Sequence, residues 1–176
     1  VQASRRSFLK GSKDVHKEIT AEADVSKHLI AHVFNISIDP YSGKMSTFRV
    51  HQGKIDAATK VMLCNREEGE NRKVLKFNHM FKFQGKEHVD CAEAIAGDIV
   101  SVGRIDEIRR DAMLHESADE EGIYAIPVNI QKPMFGLAVS TKERGDEQKI
   151  SDALSRALEE DPALRVVRDN ATHETV

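Results

Sequence analysis

Residues 34–55 read FNISIDPYSGKMSTFRVHQGKI, and this stretch decides the fold of the chain. Four even-numbered apolar residues lie on one side of the segment from residue 30 to residue 38: Ile30, Phe34, Ile36 and Ile38. Their period of two predicts a strand with one buried face. Residues 39–43 place Pro and Gly as turn formers, and residues 45–50 resume the strand pattern until Gly53. The stretch therefore predicts a β-hairpin.

Short strand patterns continue to residue 115 at roughly 10-residue spacing. Residues 61–65 are the third predicted strand, and a fourth segment has one apolar face made of Leu75, Phe77, Phe81 and Phe83. His79 falls on that face, which predicts a buried or rim histidine and not a catalytic one. Residues 99–102 form a further strand. Five or six short strands with no long helix between them predict a small closed antiparallel β-barrel over residues 28–123.

The pattern of residues 124–176 is different. Its first strand is predicted from one apolar face: Phe135, Leu137 and Val139. A stripe at helical spacing follows: Ile150, Ala153, Leu154, Ala157 and Leu158. Asp146 is the expected N-cap of this helix, and Pro162 limits its far end. With strand patterns at residues 164–168 and 175–176, the order β-α-β-β predicts an α+β unit.

The composition sets the class of chain. It has 176 residues, of which 31% are charged, 40% hydrophobic and 5% aromatic, and no Trp. This length allows one domain or two small ones, and the composition excludes a disordered, collagen-like or disulfide-scaffold chain. No apolar run approaches the ~20 residues that span a bilayer, so no membrane partner is expected. A net charge of −3 excludes a globally basic nucleic-acid binder.

Basic residues concentrate at the start of the chain, where a single acid, Asp14, stands among Arg5, Arg6, Lys10, Lys13 and Lys17. Residues 1–27 show no sustained period and are predicted to be an arm or linker. Two interpretations of this arm stay open: a solvated linker, or a contact with an anionic partner.

The residues show no recognisable catalytic constellation. The phosphate-binding pattern G-x-x-x-x-G-K-[ST] is absent from the sequence, and so are H-E-x-x-H, G-x-S-x-G and G-x-G-x-x-G. Cys64 and Cys91 are expected to be reduced core residues, because a zinc site built from them with His79 and His88 would lack paired short-spaced ligands. The residues alone predict a binding module with no catalytic, cofactor or metal site.

The stretch that opens the barrel resembles the second domain of translation elongation factor G. That family has Asp-Pro-Tyr-x-Gly-Lys/Arg followed by Arg-Val-x-x-Gly, and the matching residues here are Asp39, Pro40, Tyr41, Gly43, Lys44, Arg49, Val50 and Gly53. The family's later Ala-Gly-Asp-Ile includes Gly97 and Asp98. Gly53 and Gly97 are expected to hold turns with positive φ. Residues 159–162 and 164–166 resemble the third domain, so the resemblance covers about residues 28–176.

The chain also departs from the family pattern. Residues 110–114 read RDAML where the family usually has Gly-Asp-Thr-Leu, and residues 131–134 read QKPM where it has Pro-Glu-Pro-Val. Residues 170–174 are similar to the ribosomal protection proteins of tetracycline resistance. The resemblance is therefore to elongation factor G-like proteins as a group.

The resemblance implies a mainly β fold: a closed translation-factor β-barrel, then an incomplete ferredoxin-like β-α-β-β half-domain at residues 124–176. It implies a cytoplasmic parent protein that is a translational GTPase, with GTP and magnesium in a nucleotide domain before Val1 and no cofactor in these residues. Residues 1–27 would be the linker from that GTPase domain. The implied partners are the ribosome, through small-subunit RNA and protein, and the GTPase domain of the same protein. The unpaired edge of the half-domain would favour self-association.

Four basic residues on or beside the first hairpin and the next strand are the candidate contacts with ribosomal RNA: Lys44, Arg49, Lys54 and Lys60. Lysines and arginines on barrel loops can meet phosphates, and such binding weakens with salt. Several alternatives remain open. These are a ribosomal protection or release-factor-type translational GTPase, a free-standing protein-interaction barrel, and a flavin-carrying barrel of an oxidoreductase.

Overall fold

The structure, a computed structural model, describes residues 6–11, 16–39, 43–65, 73–85, 87–117, 122–126, 128–141, 145–168 and 175–176. The chain divides into two compact units, Val1–Pro127 and Val128–Val176. The strands of the first unit are β1 Arg6–Gly11, β2 His16–Ala21, β3 Ile30–Asp39, β4 Gly43–Gln52, β5 Lys54–Asp56, β6 Val61–Cys64, β7 Lys73–Leu75, β8 Met80–Gln84, β9 Glu87–Cys91, β10 Glu93–Ile95, β11 Ile99–Gly103, β12 Met113–His115 and β13 Ile123–Ala125. The second unit contains the helix α1, Glu147–Glu160.

Eight strands form one antiparallel sheet in the order β7-β6-β12-β3-β4-β11-β8-β9. Adjacent strands lie about 4.8 Å apart, so a flat sheet would separate β7 from β8 by about 29 Å. The connection of residues 76–79 between them reaches about 18 Å at most. The sheet therefore has to curl, and the predicted β-barrel is confirmed. The short strands β5 and β10 pair separately.

The barrel encloses one continuous apolar core. Phe48 of β4 and Phe77 of the 76–79 connection lie in its centre, with ring centroids 5.8 Å apart. Their neighbours come from most strands of the sheet, including Val33, Val50, Val61, Val100 and Leu114. A core of this kind is the main stabilising term of a small domain, because each fully buried side chain contributes about 1.5–3 kcal/mol.

A β-bulge changes which side chains of β3 face the core. The pairing with β4 shifts between Val33 and Asn35, so Phe34 is an extra residue on β3. Phe34 is 38% exposed, whereas Val33 is fully buried. The prediction that Phe34 shares the buried face of Ile36 is wrong. A strict period of two breaks at a bulge, where two residues oppose one.

The fourth predicted strand is in fact two strands. β7 ends at Leu75 and β8 begins at Met80, and Phe77 is buried in the connection between them. Beyond the break, Met80 faces the core while Phe83 is 45% exposed. His79 is exposed, so its predicted buried or rim position is wrong. A change of direction at residues 76–79 resets the alternation that the sequence suggested.

The N-terminal residues include strands that the sequence did not reveal. β1 pairs with β2 and with β13, giving a three-stranded sheet in the order β13-β1-β2. This sheet covers a second apolar cluster, in which Phe8 and Ile123 are fully buried beside Ile30 and Met113. Within the predicted arm or linker, residues 6–11 and 16–21 therefore form paired strands, which the sequence analysis did not predict. We call β1 and β2 the N-terminal hairpin.

The second unit has the predicted order of elements with less regular strands. The helix α1 lies where the apolar stripe predicts it, with Asp146 at the N-cap position but without a side-chain capping bond. Val139 bridges Thr175, which also bridges Arg168, and both bridges are antiparallel. The segment at Thr175 thus lies between the other two, as in a ferredoxin-like split β-α-β arrangement. The rest of the predicted strand at residues 135–139 has no recorded pairing within the described residues.

Candidate functional site

The candidate RNA contacts do not form one group. Residues 44 and 49 are an odd number apart on β4, so their side chains leave opposite faces of the strand. Lys44 is only 8% exposed, and its Nζ donates a hydrogen bond to the carbonyl oxygen of Asp106 at 3.1 Å. Arg49 is half-buried, on the side of β4 opposite to that of Phe48. Lys44 is therefore buried and its ammonium group stabilises the fold through this hydrogen bond.

The other two candidates lie at the far end of the first hairpin. Lys54 is paired with Glu93, with Nζ and Oε2 3.1 Å apart, and both side chains are about half exposed. The hydrogen bond to Glu93 raises the pKa of Lys54. Lys60 is exposed just before β6. As RNA contacts, all four basic residues stay predictions.

The family motif residues hold turns. Asp39 pairs with Gly43 at the end of the β3–β4 hairpin, while Pro40 and Tyr41 lie outside the described residues. Gly43 and Gly97 have φ of 76° and 105°, the left-handed region that glycine enters without strain. Gly43 and Gly97 thus lie in turns of the barrel.

Asp98 fixes the turn that precedes β11. Its Oδ2 accepts hydrogen bonds from the backbone N–H of Ile95 at 3.1 Å and from Lys82 Nζ at 2.8 Å. Partial burial alone would raise the pKa of this carboxyl, but the bonds from Lys82 and Ile95 outweigh it and lower the pKa below 3.8. This carboxylate stabilises the barrel through hydrogen bonds to neighbouring groups of the same barrel.

An open cleft of about 670 Å³ lies in the barrel unit, beside the 76–79 connection. It is bounded by the start of β4, the strands β8 and β9, and the end of β11 with the residues that follow. Its polar lining consists of Lys76, Asn78, His79, His88 and Arg104. Among the described residues that line it, none is Asp or Glu. The cleft is therefore cationic, although the whole chain has a net charge of −3.

Arg104 enters the cleft lining from a strained backbone. Its φ is 63°, a left-handed conformation that costs a non-glycine residue about 1 kcal/mol or more. Its N–H donates to the carbonyl oxygen of Lys44 at 2.8 Å, and the Lys44 ammonium binds the carbonyl of Asp106 two residues further on. Two bonds from one residue of β4 thus hold the turn of residues 104–106. Backbone strain of this kind is concentrated at ligand-binding and active sites.

Aromatic rings supply the apolar part of the cleft. Phe81 and His88 lie on the paired strands β8 and β9, with ring centroids 6.2 Å apart and an interplanar angle of 44°. Phe83, the cross-strand partner of His88, packs edge-on against it with ring centroids 4.8 Å apart. Phe77 joins the lining from the core. Cations and rings together are the chemistry that binds an anion attached to an aromatic group.

The described lining of the cleft supplies groups that can bind a ligand but no oriented general base. No carboxylate among its described lining residues orients either histidine as a general base. Within the described part of the chain, no group of three or more His, Cys, Asp or Glu residues is placed to hold a metal ion.

Sequence reasoning missed this cleft because its residues come from distant parts of the chain. Lys76 looked like the polar side of an alternating strand, and Arg104 looked like an ordinary residue after a strand end. One local signal existed: Arg104 directly follows Gly103, where the strand pattern stops. That signal becomes informative only when the backbone dihedral angles are known.

Known proteins match both units of the chain. A model described as Elongation factor G domain 2 matches residues 28–111, and one described as Elongation Factor G, domain III matches residues 130–176. Elongation factor G of Fervidobacterium nodosum is 32% identical over 170 residues, which is 96% of this chain and 23% of that protein. A crystal structure of a protein from Thermus thermophilus matches this chain with a TM-score of 0.70. The match covers 85% of this chain and 22% of the Thermus thermophilus chain. Because the two sequences are 24% identical, this match shows a shared fold alone.

The fold and the cleft define a class: a small antiparallel β-barrel with a cationic, aromatic cleft, followed by a ferredoxin-like unit. The family matches then place it more narrowly. The chain is elongation factor G-like and carries that family's domain 2 followed by its domain III. It spans about a quarter of the length of the curated relative that it matches. Within the described residues, no helix combines the length and apolar character that crossing a membrane requires.

Proposed function

We propose that this chain is the ribosome-binding and signal-relaying part of a translational GTPase of the elongation factor G kind. The observation that supports this most strongly is the order of the two family domains, domain 2 and then domain III, along a single chain. GTP and magnesium would be held by a nucleotide-binding domain of the same protein, which works in the cytoplasm. The barrel would pack against that domain, and the second unit would pass on the nucleotide state.

The proposed contact of the barrel is with the RNA and protein of the small ribosomal subunit. Arg49, Lys54 and Lys60 are the accessible members of the predicted set, and the cationic cleft adds Lys76 and Arg104. Phosphate contacts made by such side chains release counterions, so binding should weaken as salt rises.

The proposed domain division follows from the same assignment. Residues 1–27 would connect the barrel to the GTPase domain, residues 28–123 would be the barrel domain, and residues 124–176 would belong to the ferredoxin-like domain. The exposed side chains of the second unit, such as Met134 and Phe135, support self-association of this chain.

Cosedimentation with small ribosomal subunits at about 50 and 200 mM salt tests the proposed contact. We expect binding at low salt that falls by about tenfold or more at high salt. A triple variant with Arg49, Lys54 and Lys60 changed to Ala should bind more weakly at low salt. The matched control removes three exposed cations of the second unit: Lys149, Arg156 and Arg165.

Two results would contradict the proposal. Absence of cosedimentation at low salt would favour a free-standing interaction barrel. Equal loss in the triple variant and in its control would show that only total charge matters, and not these positions.

A further inference from the structure

We propose that the cleft beside the 76–79 connection binds one unpaired nucleotide, with its base against Phe81 and His88 and its phosphate on Arg104 and Lys76. The cleft chemistry carries this inference by itself. It rests on the proposed function only for the source of the nucleotide, which we assign to an RNA strand.

The charge of the cleft selects an anion. Lys76 and Arg104 line it with permanent positive charge, and no described lining residue supplies a carboxylate to neutralise them. Several other lysines of the barrel unit are paired with carboxylates, including Lys54 with Glu93, Lys73 with Glu107 and Lys82 with Asp98. A guanidinium also offers paired N–H donors that match phosphate oxygens in geometry.

The rings of the cleft select an aromatic group attached to that anion. Phe81 and His88 both line the cleft, and Phe83 packs edge-on against the His88 imidazole. Base stacking on such rings is tolerant of sequence, because every base has a π-face. Asn78 adds an amide that can both donate to and accept from a base edge.

The size and shape of the cleft favour a single nucleotide over a duplex. Its volume of about 670 Å³ lies within the usual range of small-ligand sites. An unpaired nucleotide presents its base for stacking, whereas a duplex hides every base in its stack. Two hydrogen bonds with Lys44 hold the backbone turn from which the Arg104 side chain joins the cleft lining.

The test measures binding of a labelled five-nucleotide single-stranded RNA to the full chain by fluorescence anisotropy, with AMP, inorganic phosphate and an abasic strand as competitors. Arg104→Gly is the first variant, because glycine accepts a φ of 63° and the fold is retained. Phe81→Leu is the second. Their controls are Arg156→Ala on α1, which removes an equal charge, and Phe34→Leu, a partly exposed ring of β3 that does not line the cleft.

We expect both cleft variants to weaken RNA binding by about tenfold, since stacking and phosphate contacts are each worth roughly that factor. Both controls should bind as the unchanged chain does. AMP should compete where phosphate and the abasic strand do not. Direct binding of AMP, measured by calorimetry, without any binding of the RNA strand would keep the nucleotide chemistry and overturn the RNA source.

Two results would overturn the proposal itself. Phosphate competing as well as AMP would reduce the cleft to an anion site, and binding unchanged in both cleft variants would place the RNA elsewhere. The result is separable from ribosome binding. Cosedimentation that persists in both cleft variants while they leave RNA binding unchanged would reject the cleft and keep the proposed function. Nucleotide binding without cosedimentation would reject the proposed function and keep the cleft proposal.

Discussion

Gly53 lies where the chain leaves β4 and crosses closely over the backbone that precedes β3. Its φ is 73°, and a Cβ placed there would lie 2.7 Å from the carbonyl oxygen of Lys27 and 2.8 Å from Leu29 Cα. Backbone atoms cannot move away as a flexible side-chain end can. We therefore expect Gly53→Ala to lower the free energy of unfolding by about 3 kcal/mol, measured by urea titration.

Gly85 provides the matched control for this substitution. Its φ is 65°, but nothing lies within 4 Å of an added Cβ. Gly85→Ala should cost only the left-handed backbone strain, about 1 kcal/mol. Equal effects of the two substitutions would mean that the close approach at Gly53 relaxes without cost.

Asp98 carries an acid-dependent part of the stability. Because its pKa is lower in the folded protein than the 3.8 of a free carboxyl, its contribution is present above pH 3.8 and is lost as the pH falls through the lower folded value. We expect Asp98→Asn to lower the free energy of unfolding by about 1 kcal/mol at pH 7, since the pair with Lys82 is partly exposed. The variant should also lose less stability between pH 4 and pH 2.

The measurement is urea unfolding at several pH values, with Asp90→Asn as control. Asp90 is an exposed carboxylate on the neighbouring β9. An unchanged acid dependence in Asp98→Asn would show that the bonds to Lys82 and Ile95 contribute nothing in solution.

At the scale of elements, the N-terminal hairpin covers two histidines of the barrel. The ring of Phe8 packs edge-on against His51 at 5.1 Å and against His32 at 6.4 Å. His32 also faces Asp111, with Nε2 and Oδ1 3.2 Å apart. Burial first, and then the positive charge of Arg6, lower the pKa values of both histidines. The hairpin thus holds His51 neutral.

We predict that the free energy of unfolding falls as the pH is lowered because of His51. Burial, Arg6, His32 and Arg49 lower its pKa from 6.5 to about 4. Between these values the unfolded chain takes up a proton that the folded chain refuses, so stability is lost as pH falls from 6.5 to 4 and levels off below. The full effect is about 3 kcal/mol.

Urea unfolding midpoints of His51→Phe at pH 7, 5.5 and 4.5 measure this effect. The variant should lose much of the decline, while His28→Phe, at an exposed position, should keep it. A decline as steep in His51→Phe as in the unchanged chain would assign the proton uptake to other groups.

The elements differ in how far their sequence alone predicts them. The stripe from Ile150 to Leu158 predicted α1 because helical spacing is a local property. The face of β3 was misassigned at Phe34, since the bulge depends on pairing with β4. The hairpin at residues 6–21 was missed because its partner β13 lies far along the chain. The cleft required Lys76 and Arg104 to meet, which only the closed barrel achieves.

For the molecule as a whole, we expect unequal stability in the two units. No residue of α1 is buried, and Phe135 and Leu137 are 80% and 69% exposed. Segments with few buried apolar contacts open at low free energy. Amide hydrogens of residues 147–160 should therefore exchange at least roughly 100-fold faster than those of β4 and β11, as measured by mass spectrometry.

Measurements at several protein concentrations distinguish a second unit that is stable alone from one that is ordered by self-association. Protection of residues 147–160 that rises with concentration, together with a larger species in size-exclusion chromatography, would support the proposed self-association. Equal protection of both units in a monomer would show that the second unit is stable alone and contradict the prediction.

The pairing of β1 with β13 has a consequence for biosynthesis. Phe8 is synthesised well before Ala125, its partner across the β1–β13 ladder. At about 5–20 residues per second, a growing chain needs roughly 6–23 s to make that partner. During this interval β1 can pair with β2, but the edge of β1 that joins β13 has no partner strand. The barrel strands can pair in the meantime, so the three-stranded sheet that contains β1 is completed after them.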